Sequence, residues 1–363
     1  MTVGEAESAR EKDVAPDSEQ RVTPLELFFD LVFVFAITQV TQMMADDPTW
    51  AGLARGGLVL SAIWWAWVGY AWLTNTINPE EGGARLVVFG AMAAMLVLAL
   101  AIPGAFADDA LLFAVAYAVV RTIHIGLYIY ASAGDPHLKH AIYVLARSAA
   151  LSCTLIAVAS GFDGAAQGAF WVAALLVDFG GPALSNVSGW RVSPGHFAER
   201  HGLIVIVALG ESIVALGLGA SAIPLTAGPI VAALLGIIAV ACLWWAYFDR
   251  VQPAFEHRAE ETPAADRGRF ARDVYSYSHA PIVAGIILSA VAMEVMALFP
   301  SDPLPPAFRA MGAAGMLLYF GGVGVGVYRS FAVIARERIV AVALIGVLML
   351  TGSGIDGLVL LIL

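Results

Sequence analysis

The segment PLELFFDLVFVFAITQVTQ, from Pro24 to Gln42, is an apolar run of membrane-spanning length that carries Glu26 and Asp30 near its start. A bilayer span takes roughly 20 mostly apolar residues. A carboxylate in hydrocarbon costs about 2.5 kcal/mol or more, so acids at this depth usually face the interior of a helix bundle. The segment therefore predicts a membrane helix whose acidic face packs against other helices.

The composition of the whole chain points the same way. Of 363 residues, 60% are hydrophobic and 13% are charged, and the mean hydropathy is +0.81. These values exclude a soluble domain and predict a polytopic protein whose main partner is the lipid bilayer. The sequence has no basic stripe of the kind that binds nucleic acid, so nucleic-acid binding has no support. Residues 1–22 are polar and lack hydrophobic periodicity, which predicts a disordered cytoplasmic tail. The oligomeric state stays open.

Apolar runs of similar length recur along the chain and predict an all-α bundle of about 12 transmembrane helices, the last one short. The runs lie at 24–44, 53–74, 85–104, 110–131, 140–160, 167–185, 201–220, 228–248, 276–298, 307–328, 332–350 and 353–363.

The distribution of basic residues predicts the orientation of this bundle, since cytoplasmic loops are enriched in Lys and Arg. With the N-terminus in the cytoplasm, 15 of the 19 Lys and Arg residues fall in cytoplasmic segments. Only Arg55 and Arg309 fall outside, and Arg121 and Arg147 fall within helices. We therefore expect a multi-pass protein of the bacterial cytoplasmic (inner) membrane with a cytoplasmic N-terminus.

Two parts of the sequence are similar to each other. The WWAW motif of Trp64–Trp67 matches WWAY at Trp244–Tyr247, and Glu26 and Glu199 open comparable apolar segments. Six predicted helices separate the equivalents, so both halves have the same membrane orientation. The match predicts two parallel six-helix repeats. They are 23–190 and 191–363.

Several ionisable residues are predicted to lie in the hydrocarbon on the cytoplasmic side. Counted inward along each helix, Asp30, Asp178, Arg121 and Arg147 occupy one slab of the first half. His124 shares a helix face with Arg121, since the two are three residues apart. These residues predict a buried charge network in which Asp30 forms an ion pair within the first half.

Glu211 is predicted to lie deeper in the membrane than these residues, because it is about ten residues beyond His201, near the bilayer midplane. The later helices offer no interior arginine to neutralise it. Desolvation disfavours a charged carboxylate, so we expect Glu211 to be protonated or ion-bound. His279 is expected to be a hydrogen-bonded structural residue, and Glu294 to reach water near the outer interface.

No catalytic or nucleotide-binding motif occurs in a suitable context, and no Cys/His cluster has metal-ligand spacing. No cofactor or metal is therefore expected. An enzyme would need intramembrane carboxylates, with Glu211 converging on His201 or His279.

Three segments resemble a known family. They are ELFFDLVFVFAIT from Glu26, ERHGLIVIVALGES from Glu199 and YSYSHAPIVAG from Tyr275. They are similar to signature segments of the bacterial low temperature requirement protein A family, LtrA, and the resemblance extends from Val22 onward. It implies a multi-pass inner-membrane protein connected by name with growth in the cold, without an established substrate. The motif positions carried over are Glu26, Asp30, His201, Glu211 and Ser212.

Two functions stay open at this point. One is a transporter or channel for a small solute or ion, in which Glu211 binds a proton or cation and the cytoplasmic-side network gates or holds the pathway. The other is a structural or signalling membrane protein whose buried ion pairs only specify helix packing.

Overall fold

The computed structural model describes residues 21–184, 190, 192–334, 336–352, 354, 356 and 359, and these form an all-helical bundle. The helices are α1 (Pro24–Asp46), α2 (Trp50–Thr74), α3 (Ala84–Leu100), α4 (Ala110–Ala131), α5 (Pro136–Ala159), α6 (Gly164–Leu184), α7 (Pro194–Ser221), α8 (Ala227–Phe248), α9 (Val251–Glu261), α10 (Ala264–Phe270), α11 (Ser278–Leu298), α12 (Pro306–Phe331) and α13 (Arg336–Thr351). A π-helical turn, Ala271–Tyr277, joins α10 to α11.

Within the described ranges, nine helical segments are long and apolar enough to cross a membrane, and two shorter apolar helices accompany them. Two of the nine, Ala227–Glu261 and Ala264–Leu298, are continuous segments of 35 residues. The prediction of helices is thus confirmed for eleven of the twelve apolar runs. The twelfth run, 353–363, and the tail at 1–20 lie largely or wholly outside the described residues.

Local sequence explains where α1 and α7 begin. Thr23 and Glu26 form a capping box, in which the Thr23 amide donates to Glu26 Oε2 over 2.8 Å and the Glu26 amide donates to Thr23 Oγ1 over 3.3 Å. Pro194 occupies the first turn of α7, where a missing amide proton costs nothing. Consequently α7 starts seven residues before the apolar run at 201, and Arg200 lies inside the helix.

Close contacts through glycine hold α11 against α12. A Cβ added to Gly285 would lie 2.5 Å from the Gly315 carbonyl oxygen, and one on Gly322 would lie 2.7 Å from the Ser278 carbonyl oxygen. Gly326 is buried one turn beyond Gly322. The small-residue face of α12 therefore lets the two backbones approach closely.

The π-helical turn positions Ser276 against α2. Trp64 Nε1 donates to the Ser276 carbonyl over 3.1 Å, and Trp72 Nε1 donates to Ser276 Oγ over 2.8 Å. Single π turns often mark functional regions of a helix. Here the turn connects the indoles of α2 to the start of α11.

Candidate functional site

A buried ion pair joins α1 to α7. Arg200 Nη1 donates to Asp30 Oδ2 over 2.9 Å, and Arg200 Nη2 donates to Asp30 Oδ1 over 3.0 Å. Trp67 Nε1 also donates to Asp30 Oδ1 over 2.9 Å, and its ring lies 5.5 Å from the guanidinium carbon. Asp30 is 3% exposed and Arg200 is fully buried. This bidentate geometry satisfies both charges away from water.

Glu26 extends the same cluster toward the start of α1. Glu26 Oε1 lies 3.0 Å from His196 Nε2 and 3.7 Å from Arg200 Nε, and Glu26 Oε2 accepts from Thr23. Arg200 Nη1 also donates to the Glu26 carbonyl over 3.2 Å. Two acids of α1 therefore face one arginine and one histidine of α7.

The partner of Asp30 corrects the sequence expectation. An ion pair within the first half was expected, but Arg200 comes from α7. The sequence places Arg200 in a cytoplasmic segment, because the apolar run begins only at His201. The helix begins at Pro194, seven residues or about two turns before that run, so Arg200 lies six residues inside α7.

A second buried pair lies between α4 and α6. Arg121 Nη2 donates to Asp178 Oδ1 over 2.8 Å, and the Tyr117 hydroxyl donates to Asp178 Oδ2 over 2.8 Å. Arg121 is 2% exposed and Asp178 is fully buried. Arg147 was expected to join this network, and that expectation is wrong, since its side chain is exposed on α5. Depth along a helix does not specify the face on which a residue lies.

His124 lies one turn along α4 from Arg121, and it is 1% exposed. Its ring packs against the backbone of Gly69 in α2, where an added Cβ would lie 2.7 Å from His124 Cε1. Within the described residues neither ring nitrogen makes a hydrogen bond of normal geometry. His124 is thus a buried polar group that takes no part in the Arg121–Asp178 or Arg200–Asp30 ion pairs.

A cluster of buried rings surrounds His201. Its ring centroid lies 5.1 Å from the centroids of Trp67, Tyr275 and His279. His201 Nδ1 contacts the Phe197 carbonyl at 2.8 Å, so it carries the proton and the imidazole is a donor there.

His279 belongs to this cluster and is hydrogen-bonded on both sides, as a structural histidine is expected to be. His279 Nδ1 lies 2.9 Å from the Val274 carbonyl, and His279 Nε2 lies 2.7 Å from the Tyr247 hydroxyl. Sequence reasoning did not bring His201, Tyr247 and Tyr275 together. The available signal was the third family-like segment, YSYSH, which supplies both Tyr275 and His279.

Glu211 lies in the seam between α1 and α7 and is 2% exposed. Its Oε2 lies 2.5 Å from Thr38 Oγ1, which also lies 3.2 Å from the Val34 carbonyl oxygen. Among the described residues, no Lys, Arg or His forms an ion pair with it. Ser212 is turned away, because its hydroxyl donates to the Ala208 carbonyl of its own helix over 3.4 Å.

The two contacts of Thr38 bear on the protonation of Glu211. A hydroxyl has one proton to donate. If Thr38 donates to Val34, its contact with Glu211 is a hydrogen bond only when Glu211 is protonated and is itself the donor. Glu211, which the sequence predicts to have no partner, thus contacts the Thr38 hydroxyl. This hydroxyl can hydrogen-bond to either the protonated or the ionised carboxyl.

Glu294 of α11 is the next acid along this seam. Its Oε2 is buried without a hydrogen-bond partner in the described part of the chain, and its acidic neighbours are Glu211 and Asp46. Gly219 makes the approach possible, since a Cβ there would clash with the Glu294 carbonyl. The described residues hold no group of three or more His, Cys, Asp or Glu suited to a metal ion.

The fold and these buried charges define a multi-pass α-helical membrane protein with an ionisable core. The chain belongs to the family of the bacterial low temperature requirement A protein (LtrA), whose model matches residues 21–363. It is also 30% identical over 307 residues to the uncharacterized protein RA0937 of Rhizobium meliloti (strain 1021), covering 82% of this chain and 75% of that protein. No solved structure matches significantly.

Proposed function

We propose that the protein is a transporter or channel for a proton or small cation and that Glu211 is its binding group. The observation that carries the proposal is a nearly fully buried carboxyl whose contacts are with hydroxyl groups and not with a base. A carboxylate desolvated in this way needs either a proton or a bound cation. Intramembrane acids of this kind commonly belong to ion or proton pathways.

The other buried acids support this assignment by contrast. Asp30 is neutralised by Arg200, and Asp178 is neutralised by Arg121. Both have geometry that saturates the carboxylate, so neither is free to exchange a cation. Glu211 keeps this capacity, and so does Glu294, whose Oε2 has no hydrogen-bond partner in the described residues.

The placement of Glu294 and Asp46 supports a route to the predicted outer side. Asp46 is exposed at the C-terminal end of α1, and Glu294 is partly exposed near the C-terminal end of α11. Glu294 lies in one acidic region with Glu211 and Asp46. On the opposite side, the cluster of Glu26, Asp30 and Arg200 fills the space between α1 and α7, where it would act as the cytoplasmic-side gate.

The duplicated architecture belongs to this proposal. In support, α1 packs on α2 and α3, and α7 packs on the equivalents α8 and α11. Burial differs between the matched motifs, however. Trp64 is buried, whereas the equivalent Trp244 is 48% exposed. We also propose the bacterial inner membrane as the location, with a cytoplasmic N-terminus and a contribution to growth at low temperature, following the family description.

A structural or signalling role is the second candidate, and the saturated pairs favour it. Asp178 accepts from both Arg121 and Tyr117, an arrangement that fixes α4 against α6. Enzyme activity is less well supported, because Glu211 is ten residues from His201 along α7, about 15 Å.

Flux measurements distinguish the first two roles. Purified protein is reconstituted in liposomes and screened for flux of protons, Na⁺ and K⁺, beside the Glu211→Gln variant. Glu199→Gln is the matched control, since Glu199 is an exposed acid of the same helix. The proposal predicts flux that Glu211→Gln abolishes and Glu199→Gln retains. No flux in the wild type, with both variants folded, favours the structural role.

A further inference from the structure

A buried arginine at the start of α12 has no counter-charge among the described residues. Arg309 is 8% exposed, and its Nε and Nη1 are buried without a hydrogen-bond partner there. Its backbone amide donates to the Pro305 carbonyl over 3.2 Å, which places it in the first turn of the helix. An unpaired charge away from water is costly. Arg309 therefore indicates an anion that comes from outside the chain.

The acids of this region do not supply the missing charge. Asp302 precedes α12, and the backbone of Asp356 pairs with that of Pro303. Both acids are exposed, and neither forms an ion pair with Arg309 in the part of the chain that the structure describes. Glu294 interacts with the acids of the Glu211 seam instead. The other two fully buried arginines, by contrast, are each paired with a buried aspartate.

The first turn of α12 adds further hydrogen-bond donors. The first amides of a helix have no intrahelical acceptor, and this end of the helix carries a partial positive charge. Helical side chains tilt toward the N-terminus, so the Arg309 guanidinium and these amides lie at the same end of α12. Phosphate binds well at helix N-termini and accepts two hydrogen bonds at once from an arginine. A phosphate group therefore matches this set of donors.

An apolar cavity continues from Arg309 along the same face of α12. Arg309, Gly312, Met316 and Phe320 follow one another at spacings of three, four and four residues, which places them on one face. The last three line a cavity of about 310 Å³ among α8, α11, α12 and α13. From Gly312 to Phe320 the wall extends about 12 Å along the helix axis. The cavity thus runs from just below Arg309 toward the predicted interior of the membrane.

The walls of this cavity suit a hydrocarbon chain. Four methionines line it, and they are Met293, Met296, Met316 and Met349. Their flexible thioethers adapt to the shape of an apolar ligand. Ile238 and Cys242 of α8 also line the cavity and are exposed, so it opens on the apolar outer surface of the bundle, where lipid lies in a membrane.

We propose that this site binds an anionic phospholipid from the leaflet on the predicted outer side. The phosphate accepts hydrogen bonds from Arg309 Nε and Nη1, and one acyl chain lies in the methionine-lined cavity. The unpaired positive charge favours this occupant over an uncharged lipid, and the apolar cavity favours it over free phosphate. The proposal depends neither on Glu211 nor on transport, so the failure of one leaves the other intact.

Lipid binding is measured on purified, delipidated full-length protein in detergent, by native mass spectrometry and by thermal stabilisation. The probes are dioleoylphosphatidylglycerol, dioleoylglycerol, which has the same chains without phosphate, and glycerol phosphate, which has no chains. We expect the wild type to bind the phospholipid about tenfold more tightly than dioleoylglycerol, the contribution of a charge-assisted hydrogen bond. Glycerol phosphate should not stabilise the protein.

Variants of Arg309 test the phosphate contact. Arg309→Met keeps an unbranched side chain and removes the charge, so the preference for the phospholipid over dioleoylglycerol should disappear. Arg55→Met is the matched control, since Arg55 is predicted to lie on the same side and has its own carboxylate, Asp47, at 3.7 Å. This control should keep the preference.

Variants of α8 test the acyl-chain contact. Ala239→Phe fills the cavity without touching Arg309 and should weaken binding of both lipids. Ala241→Phe adds the same ring at an exposed position outside the cavity lining and should leave binding unchanged. This pair of variants also decides the matter if Arg309→Met does not fold.

Four outcomes would overturn the proposal. They are equal binding of the phospholipid and dioleoylglycerol to the wild type, no binding of either lipid, a preference for the phospholipid that persists in folded Arg309→Met, and wild-type lipid binding in Ala239→Phe. Glycerol phosphate binding as tightly as the phospholipid would likewise refute it, because free phosphate would then be the occupant.

Discussion

Replacing Asp30 with asparagine should destabilise the bundle strongly. Arg200 would remain fully buried with its bidentate carboxylate lost. Removing one partner of a buried ion pair costs about 3–5 kcal/mol, because the other charge is left without compensation. Two contacts reduce the loss here. Glu26 Oε1 stays 3.7 Å from Arg200 Nε, and asparagine keeps an acceptor for Trp67. We therefore expect a loss of about 3 kcal/mol.

A double-mutant cycle identifies the partner of Asp30. The free energy of unfolding is measured by SDS denaturation in mixed micelles for Asp30→Asn, Arg200→Met and the double variant. The two losses should fall short of additivity by about 2 kcal/mol, as expected for contacting residues. Asp30→Asn combined with Arg121→Met should be additive within about 0.5 kcal/mol. Stronger coupling to Arg121 than to Arg200 would refute the pairing across α1 and α7.

Two further substitutions probe the seam around Glu211. Thr38→Val removes the hydroxyl next to Glu211 and should lower flux about tenfold. Thr38→Ser keeps the hydroxyl and should retain the flux. Equal flux in both variants would exclude a role for this contact. Gly219→Ala forces a methyl group into the Glu294 carbonyl and should lower both the unfolding free energy and flux. Gly217→Ala, which meets open space two residues away, should be neutral or slightly stabilising in the same denaturation assay, and equal behaviour of the two alanine variants would contradict the close packing.

The helical architecture could be predicted because membrane spans are recognisable from their composition and length. A bilayer requires long apolar runs with internally satisfied backbone groups, and the chain supplies them. Helix starts are less visible in hydropathy. The helix α7 begins at Pro194, seven residues before the apolar run at His201, and Arg200 therefore lies inside the helix.

The contacts inside the bundle could be predicted only in part. Depth follows from counting residues, and it placed Asp30, Asp178 and Arg121 at comparable levels. Rotation about the helix axis does not follow from counting, which is why Arg147 was assigned to the interior although its side chain is exposed. The partners of Asp30 depend on which helices are neighbours, and the sequence alone does not establish that α1 packs on α7.

The cluster around His201 was beyond sequence reasoning for the same reason. It is formed by side chains from helices far apart in the chain. Tyr275 lies in the π-helical turn and His279 lies in α11, whereas Trp67 lies in α2. A π-helical turn has no simple sequence signature, yet it decides how Ser276 meets the indoles of α2.

Proton or cation flux that depends on Glu211 is the most direct test of the proposed transport function. Liposomes containing the wild type, Glu211→Gln or Glu199→Gln are loaded with pyranine, and internal pH is followed after an imposed pH gradient, with Na⁺ and K⁺ gradients measured in parallel. We expect the wild type and Glu199→Gln to dissipate at least one gradient and folded Glu211→Gln to dissipate none. Undiminished flux in Glu211→Gln would exclude Glu211 as the binding group.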